Sequence, residues 1–264
     1  MAGAQSIVLI GAGRMGGALA SGWLSGRAKP NLSIIAPRPT PQVREWAEAG
    51  QITLNPEPAP ADIVVLGIKP QQFARAAEGV KEFIGEKTLV VSVMGGVKLS
   101  QLGTPHVIRA MPNTPGSIGK GVTLLSVASS LDAADIEAAR KLLTPLGLVE
   151  GPMDEKTMVA ATGISGCGPA YVFLLAEVMA EAGEAEGVPK DMAARLAIET
   201  IIGAALMEQS GQTPNELRKM VTSPGGITQA ALDILMDDGG MPILMRKALR
   251  AAVTRDRELS REPD

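Results

Sequence analysis

Along the first part of the chain, as far as about residue 150, hydrophobic and polar positions alternate between two patterns. Short apolar runs occur at residues 6–10, 32–36, 62–68, 88–93, 106–110 and 122–127. Between them, apolar residues recur with helical spacing over residues 15–25, 41–49, 71–84 and 132–143. Bounded apolar runs alternating with helical segments read as βαβ units. The pattern predicts a mostly parallel, doubly wound sheet with helices on both faces.

After Pro152 the strand runs stop and Ala-rich helical segments take over, most clearly over residues 170–186 and 189–209. The expected organisation is an α/β domain over residues 1–152 followed by an all-α domain over residues 153–264. Asp191, Arg195 and Glu199 are spaced to share one face of the second helix and to pair along it. Its other faces carry Leu196, Ile198, Ile201, Ile202 and Leu206, among further apolar residues. A helix apolar on so many sides needs burial on more than one. A small helical domain has little interior to offer. The helical half is therefore expected to pack against a second copy of itself, with a helix central to one subunit as the alternative. Residues 260–264 read as a frayed polar end.

Composition narrows the setting. Aromatic residues are only 2% against 45% hydrophobic overall, so Ala, Val, Leu, Ile and Met must build the core. The net charge of −3, with no basic run, argues against a nucleic-acid partner. A single cysteine, Cys167, allows no internal disulfide and fits a reducing compartment. The opening residues lack the basic start of a signal peptide. No charge-free apolar stretch looks both long enough and unbroken enough to span a bilayer. The expectation is a soluble, cytoplasmic protein without a membrane partner. Asp154, Glu155, Asp237 and Asp238 have no His or Cys beside them, so no metal site is expected.

Two motifs carry chemistry. Gly11-Ala12-Gly13-Arg14-Met15-Gly16 follows the first strand run and opens a helix. Gly11 permits the tight turn, Gly13 lets the backbone approach a pyrophosphate, and Gly16 allows close helix–strand packing. The helix N-terminus then faces the phosphates. At the end of the second strand run, Ala36-Pro37-Arg38-Pro39-Thr40 offers no acid for a ribose 2′-hydroxyl. That absence, with Arg38 as a partner for a 2′-phosphate, favours NADPH and leaves NADH open. Gly67-Ile68-Lys69-Pro70 and Val93-Met94-Gly95-Gly96 lie at later strand ends, where ligands gather in open α/β sheets. Lys69 there is either a ribose or phosphate contact or a plain surface lysine.

The second motif is Ser223-Pro224-Gly225-Gly226-Ile227-Thr228. Glycines after a proline suit a helix start, which exposes backbone N–H groups beside two hydroxyls. That arrangement can hold a small carboxylate without an arginine. The amides of Gly225 and Gly226 and the Ser223 hydroxyl are the expected grip.

Six segments line up in order: Gly11 to Gly16, Asn55, Ile68-Lys69-Pro70-Gln71, Arg109-Ala110-Met111-Pro112-Asn113-Thr114-Pro115, Gly163-Ile164-Ser165-Gly166-Cys167-Gly168-Pro169-Ala170-Tyr171, and Val221 to Thr228. Over nearly its whole length the chain resembles the pyrroline-5-carboxylate reductases. The resemblance implies an N-terminal Rossmann domain and a helical dimerisation domain, with a substrate site where they meet across a dimer. It implies reduction of 1-pyrroline-5-carboxylate to L-proline with NADPH or NADH, and leaves open whether dimers build into larger rings. Carried over by position, cofactor contacts fall on Gly11, Ala12, Gly13, Arg14, Met15, Pro37, Arg38, Asn55, Gly67, Ile68, Lys69, Pro70, Val93 and Gly95. Substrate contacts fall on Glu155, Ser223, Gly225, Gly226, Ile227 and Thr228. The chain departs from the family at Cys167, often Ser, and at Ile227, more commonly Thr or Ala.

Reducing a cyclic imine needs a hydride, a proton for nitrogen and a grip on the carboxylate. Thr228 is the expected catalytic residue, placed to hydrogen-bond the ring nitrogen. His106, the one histidine, precedes a strand run and suits a structural role. Cys167 has no neighbouring histidine in sequence and reads as a packing residue. Tyr171 either caps the cofactor pocket or is buried among helices. A 3-hydroxy acid dehydrogenase is disfavoured, since residues 161–176 contain no lysine. A reductase of another cyclic imine carboxylate and a non-catalytic NADPH-binding regulator remain as alternatives.

Overall fold

A computed structural model describes residues 5–26 and 29–259, so the polar end at 260–264 lies outside the described residues. In chain order the N-terminal elements are β1 (Ser6–Ile10), α1 (Arg14–Ser25), β2 (Asn31–Ile35), α2 (Pro41–Glu48), β3 (Thr53–Leu54), β4 (Ile63–Leu66), α3 (Pro70–Lys81), β5 (Leu89–Ser92), β6 (Val107–Pro112), β7 (Gly121–Val127), α4 (Ala133–Leu143), β8 (Gly147–Glu150) and α5 (Glu155–Ser165). They are followed by α6 (Gly168–Ala185), α7 (Lys190–Met207), α8 (Pro214–Met220), α9 (Ile227–Leu235) and α10 (Met241–Leu259).

The eight strands form one sheet in the order β3-β2-β1-β4-β5-β6-β7-β8. Every pair is parallel except β6 with β7. The expected doubly wound sheet is therefore present, with one antiparallel step. Two edge strands, β3 and β8, were not legible in the pattern. They are short, and only Val149 among their residues is buried.

The central strands are buried throughout, and successive residues feed two cores. On one face Leu9, Val65 and Val91 pack with Leu19 and Trp23 of α1 and with Leu142 and Leu143 of α4. The Trp23 indole N–H donates to the Leu142 carbonyl at 2.7 Å, so the largest side chain in this core leaves no buried donor unpaired. On the other face Val64, Leu66 and Val90 pack with Val80 of α3 and with Phe83 and Met94. Local chemistry sets the helix starts. The Asp132 carboxylate accepts from the amides of Ala134 and Asp135, and Thr40 caps α2 with Pro41 as its first residue.

The chain divides into two compact units, Met1–Gly166 with Val253–Asp264, and Cys167–Ala252. In the second unit α6 and α7 pack as a helical hairpin. Ala193 and Ala197 are buried there, while Phe173, Leu196 and Leu206 stay 61%, 55% and 61% exposed. The predicted breadth of the apolar surface is thus real, and it is not covered within this unit. The pairing expected of Asp191, Arg195 and Glu199 does not form: none of the three is in an ion pair among the described residues. All three are exposed, where such a pair gains little over the entropy of its side chains.

The segment Glu155–Ala185 is long and apolar enough to cross a membrane by length and composition. It combines α5 and α6, which the sequence pattern had not joined, and it is interrupted at Gly166 and Cys167.

Candidate functional site

The fingerprint turn sits where β1 runs into α1. Gly11 has φ +88°, a conformation that a side chain would strain. Its N–H donates to the Ile35 carbonyl at 2.9 Å, and the Gly67 N–H donates to the Ile10 carbonyl at 2.8 Å. These bonds bring the ends of β1, β2 and β4 together. A Cβ on Gly16 would lie 2.3 Å from the Gly11 carbonyl oxygen, and one on Gly67 would lie 2.6 Å from the same atom. Both glycines are therefore demanded by packing within the chain. Gly13 differs: a Cβ there would meet nothing within 4 Å, and the residue is exposed at the mouth of α1. No protein atom accounts for its missing side chain. An anion drawn against the backbone at a helix N-terminus does account for it, so the turn fits a dinucleotide pyrophosphate.

A cleft of about 410 Å³ opens beside this turn. Of the residues expected to hold a cofactor, Gly11, Ala12, Gly13, Pro37, Arg38, Gly67, Ile68 and Lys69 line it. Gln72 and Ala76 of α3 line it too and were missed. Gln72 also shapes the wall, since its Oε1 accepts from the Lys69 N–H at 3.2 Å. Its helical spacing from Lys69 was the available signal. Arg38 and Lys69 bring two cationic groups to an otherwise largely apolar cleft.

Several expected contacts lie elsewhere. Met15 and Val93 pack against the first core, and Pro70 is the first residue of α3. Arg14 is exposed at the start of α1. Gly95 leaves room against the Met111 side chain, 3.7 Å from where a Cβ would stand. Asn55 is outside the cleft lining and spends its carboxamide on the backbone of Ala36.

Glu155, at the start of α5, has a different neighbour from those expected. Its Oε1 accepts from the Leu99 N–H at 3.0 Å and lies 3.5 Å from Nη1 of Arg109. Arg109 is 3% exposed within β6, and its Nε finds no partner. The carboxylate so balances a buried cation and ties down the loop leading out of β5. A lone charge inside the apolar run at 106–110 was the sequence signal for Arg109. Asn113, two residues beyond Met111, donates to the Ser165 carbonyl at 2.8 Å and accepts from the Val122 N–H at 2.9 Å. It anchors the end of α5 to the sheet. His106 lies at the N-terminal end of β6, away from the strand ends that build the cleft. Its carbonyl accepts from Val90 at 2.9 Å, in keeping with a structural position.

In the second unit the Ser223–Thr228 segment does start a helix, α9, with Gly226 as its cap. Gly225 has φ +69°, which turns the chain after Pro224. The Gly226 N–H donates to the Ser223 carbonyl at 3.0 Å, so this amide, expected to grip a carboxylate, is used in closing the turn. The amides at the first positions of α9, Ile227 and Thr228, close no intrahelical hydrogen bond and are the ones left for a ligand. Ser223, Gly225 and Thr228 are exposed, and Ile227 is 94% exposed. Tyr171, half-buried one turn after Cys167, has its phenol pushed above the ordinary value by desolvation, with the Cys167 thiol adding to the effect.

Sheet, turn and cleft together define a dinucleotide-binding protein. Residues 6–96 match the sequence profile described as NADP oxidoreductase coenzyme F420-dependent. Residues 155–259 match that described as pyrroline-5-carboxylate reductase dimerisation. A pyrroline-5-carboxylate reductase of Pseudomonas aeruginosa is 37% identical over 97% of this chain and 97% of its own. That of Pisum sativum is 36% identical over 95% of this chain and 94% of its own. Among solved structures, a pyrroline-5-carboxylate reductase from Coxiella burnetii superposes with a TM-score of 0.89 at 33% identity, covering 98% of this chain and all of the other. The Plasmodium falciparum pyrroline carboxylate reductase, solved with NADP bound, gives a TM-score of 0.78 at 25% identity over 97% of this chain and 98% of that one. The chain belongs to the pyrroline-5-carboxylate reductase family.

Proposed function

We propose that this protein reduces 1-pyrroline-5-carboxylate to L-proline, the last step of proline biosynthesis, with NADPH as preferred donor. The observation that carries the reading is end-to-end similarity to reductases of that name, joined to a cleft whose Gly13 leaves room for a pyrophosphate. When bound, the nicotinamide supplies the hydride for the imine carbon. Gly11, Ala12 and Gly13 would hold the pyrophosphate, Arg38 the 2′-phosphate, and Lys69 the ribose or phosphates. Residues 1–152 form the nucleotide-binding part, and residues 153–264 the substrate-binding and dimerisation part.

At the substrate, Ser223 and the amides at the start of α9 hold the carboxylate. Each hydrogen bond to such a charged group contributes about 1.5–3 kcal/mol. A partly buried helix N-terminus adds up to about 2 kcal/mol. The imine nitrogen is basic enough to take its proton from solution. Thr228 would hydrogen-bond that nitrogen and orient the ring. The C=N π pair becomes the nitrogen lone pair as the new C–H bond forms, leaving a secondary amine. Most of the acceleration comes from holding the two reactants in line.

The exposed apolar surface of α6 and α7 is the homodimer interface, from which a larger ring of dimers is built, and the working compartment is the reducing cytoplasm. The test is direct: protein, NADPH and pyrroline-5-carboxylate are mixed and the absorbance of the reduced nicotinamide is followed. Steady loss with proline as product is expected. Cofactor binding without turnover would favour a regulator instead. Thr228→Ala should lower kcat by roughly tenfold or more, as expected for an interaction formed in the transition state. Full turnover by that variant at every pH would remove Thr228 from the mechanism.

A further inference from the structure

Arg109 is 3% exposed in β6, and the residues paired beside it on β5 and β7, Ser92 and Ser126, are buried too. Among the described residues its one hydrogen-bond partner is Glu155, at 3.5 Å, and its Nε has none. An apolar side chain of similar size would fill such a place at less cost in desolvation, so the cation calls for a reason other than stability. The same Glu155 oxygen accepts from the Leu99 N–H at 3.0 Å. Leu99 opens a short 3₁₀ turn, Leu99–Gln101, which ends the loop that leaves β5 through Val93-Met94-Gly95-Gly96. Met94 and Val97 anchor that loop in the second core. Among the described residues, no backbone hydrogen bond of normal geometry fixes Gly95, Gly96 or Val97. A Cβ on Gly95 would be in ordinary contact with Met111 Cε, 3.7 Å away, so the chain itself does not demand glycine there.

The sheet order gives this loop its place. Arg38 follows β2, the fingerprint turn follows β1, and β4 and β5 come next. A dinucleotide with its 2′-phosphate at Arg38 and its pyrophosphate at Gly13 therefore lays its nicotinamide half toward the β5 loop. We propose that Arg109 is a positioning residue for that half: it holds the Glu155 carboxylate, which holds the Leu99 N–H, which fixes the loop carrying Gly95. This rests on the cofactor reading given above. Glu155 is itself 34% exposed, so without the buried cation its carboxylate is free to turn to solvent and release the amide.

The test compares NADP⁺ with adenosine 2′,5′-bisphosphate, which lacks the nicotinamide half, by calorimetry without turnover. Leu99→Pro removes the N–H without bending the chain, since Lys98 already has φ −77° and ψ 158° and the first position of a helical turn accepts proline. It also leaves the ion pair intact, so it decides the case even if Arg109→Met fails to fold. Both variants should weaken NADP⁺ by about three- to tenfold, the scale of one lost net hydrogen bond, and leave the bisphosphate unchanged. Leu99→Ala, which keeps the N–H, should bind both like wild type, and Arg109→Lys should recover part of the loss seen with methionine. Equal weakening of both nucleotides, or unchanged binding of both, would overturn the proposal, and so would a lysine no better than methionine. In wild type, NADP⁺ and not the bisphosphate should slow amide exchange over residues 94–99. If NADP⁺ adds no protection there, the path of the cofactor on which the proposal stands is refuted instead.

Discussion

Two neighbouring glycines of the fingerprint should fail in opposite ways. Gly16→Ala places a Cβ 2.3 Å from the Gly11 carbonyl oxygen and 3.5 Å from Leu9 Cδ1. Carbon and oxygen do not approach so closely, and that oxygen belongs to the backbone, which cannot swing aside as a side-chain tip can. The turn and α1 must separate by the better part of an ångström, breaking contacts in a filled core. Overpacking of this kind costs about 1–3 kcal/mol. Gly13→Ala adds its methyl to open space, at φ −72°, which any residue adopts. Its cap position favours glycine over alanine slightly, while the loss of chain freedom on folding becomes smaller, so stability should change by under about 1 kcal/mol. The methyl instead meets the pyrophosphate, and a clash of about 1–3 kcal/mol corresponds to roughly five- to 150-fold weaker cofactor binding. Urea unfolding of the cofactor-free proteins and NADPH titration separate the two effects. If Gly13→Ala bound NADPH like wild type, or unfolded as easily as Gly16→Ala, the assignment of the open space at Gly13 to a ligand would be wrong.

Three further outcomes follow from particular contacts. Removing the carboxylate with Glu155→Ala strands the buried Arg109 and should cost on the order of 2–3 kcal/mol in urea. Arg109→Met, which leaves a carboxylate 34% exposed, should cost less, and the reverse order would contradict the burial of this pair. Asp62 has its carboxyl held below the usual value by the Ser6 N–H at 2.8 Å and then by the Ser6 hydroxyl at 2.7 Å. A depressed folded-state value means this contribution is present above the usual carboxylate range and fades as pH falls through the lowered value. Asp62→Asn should therefore flatten the stability profile on the acid side, and identical profiles by urea melts would count against it. Finally, Phe173→Glu with Leu196→Glu should shift the protein from dimer to monomer in sedimentation equilibrium. An intact dimer would exclude this surface from the interface.

The sequence alone determined the periodicities, and with them the sheet, its flanking helices and the change to an all-helical half. Backbone demands are local, so the turn at Gly11 and the helix start after Gly225 were readable as strings. Side-chain partners across long separations were not. Nothing in the order of residues tells that Glu155 meets the Leu99 amide and Arg109, or that Asn55 spends its carboxamide on Ala36. The first set joins α5 to the segment after β5 and to β6, the second joins the ends of β2 and β3, and in each the partners lie apart along the chain. The two short edge strands escaped because they bury too little to leave a hydrophobic pattern. Tertiary structure also separated glycines that look alike in the motif: Gly16 is fixed by a carbonyl of the protein itself, and Gly13 by space that the protein leaves open. Conformational freedom is a property of a residue, but crowding belongs to its surroundings, and only the folded chain supplies those.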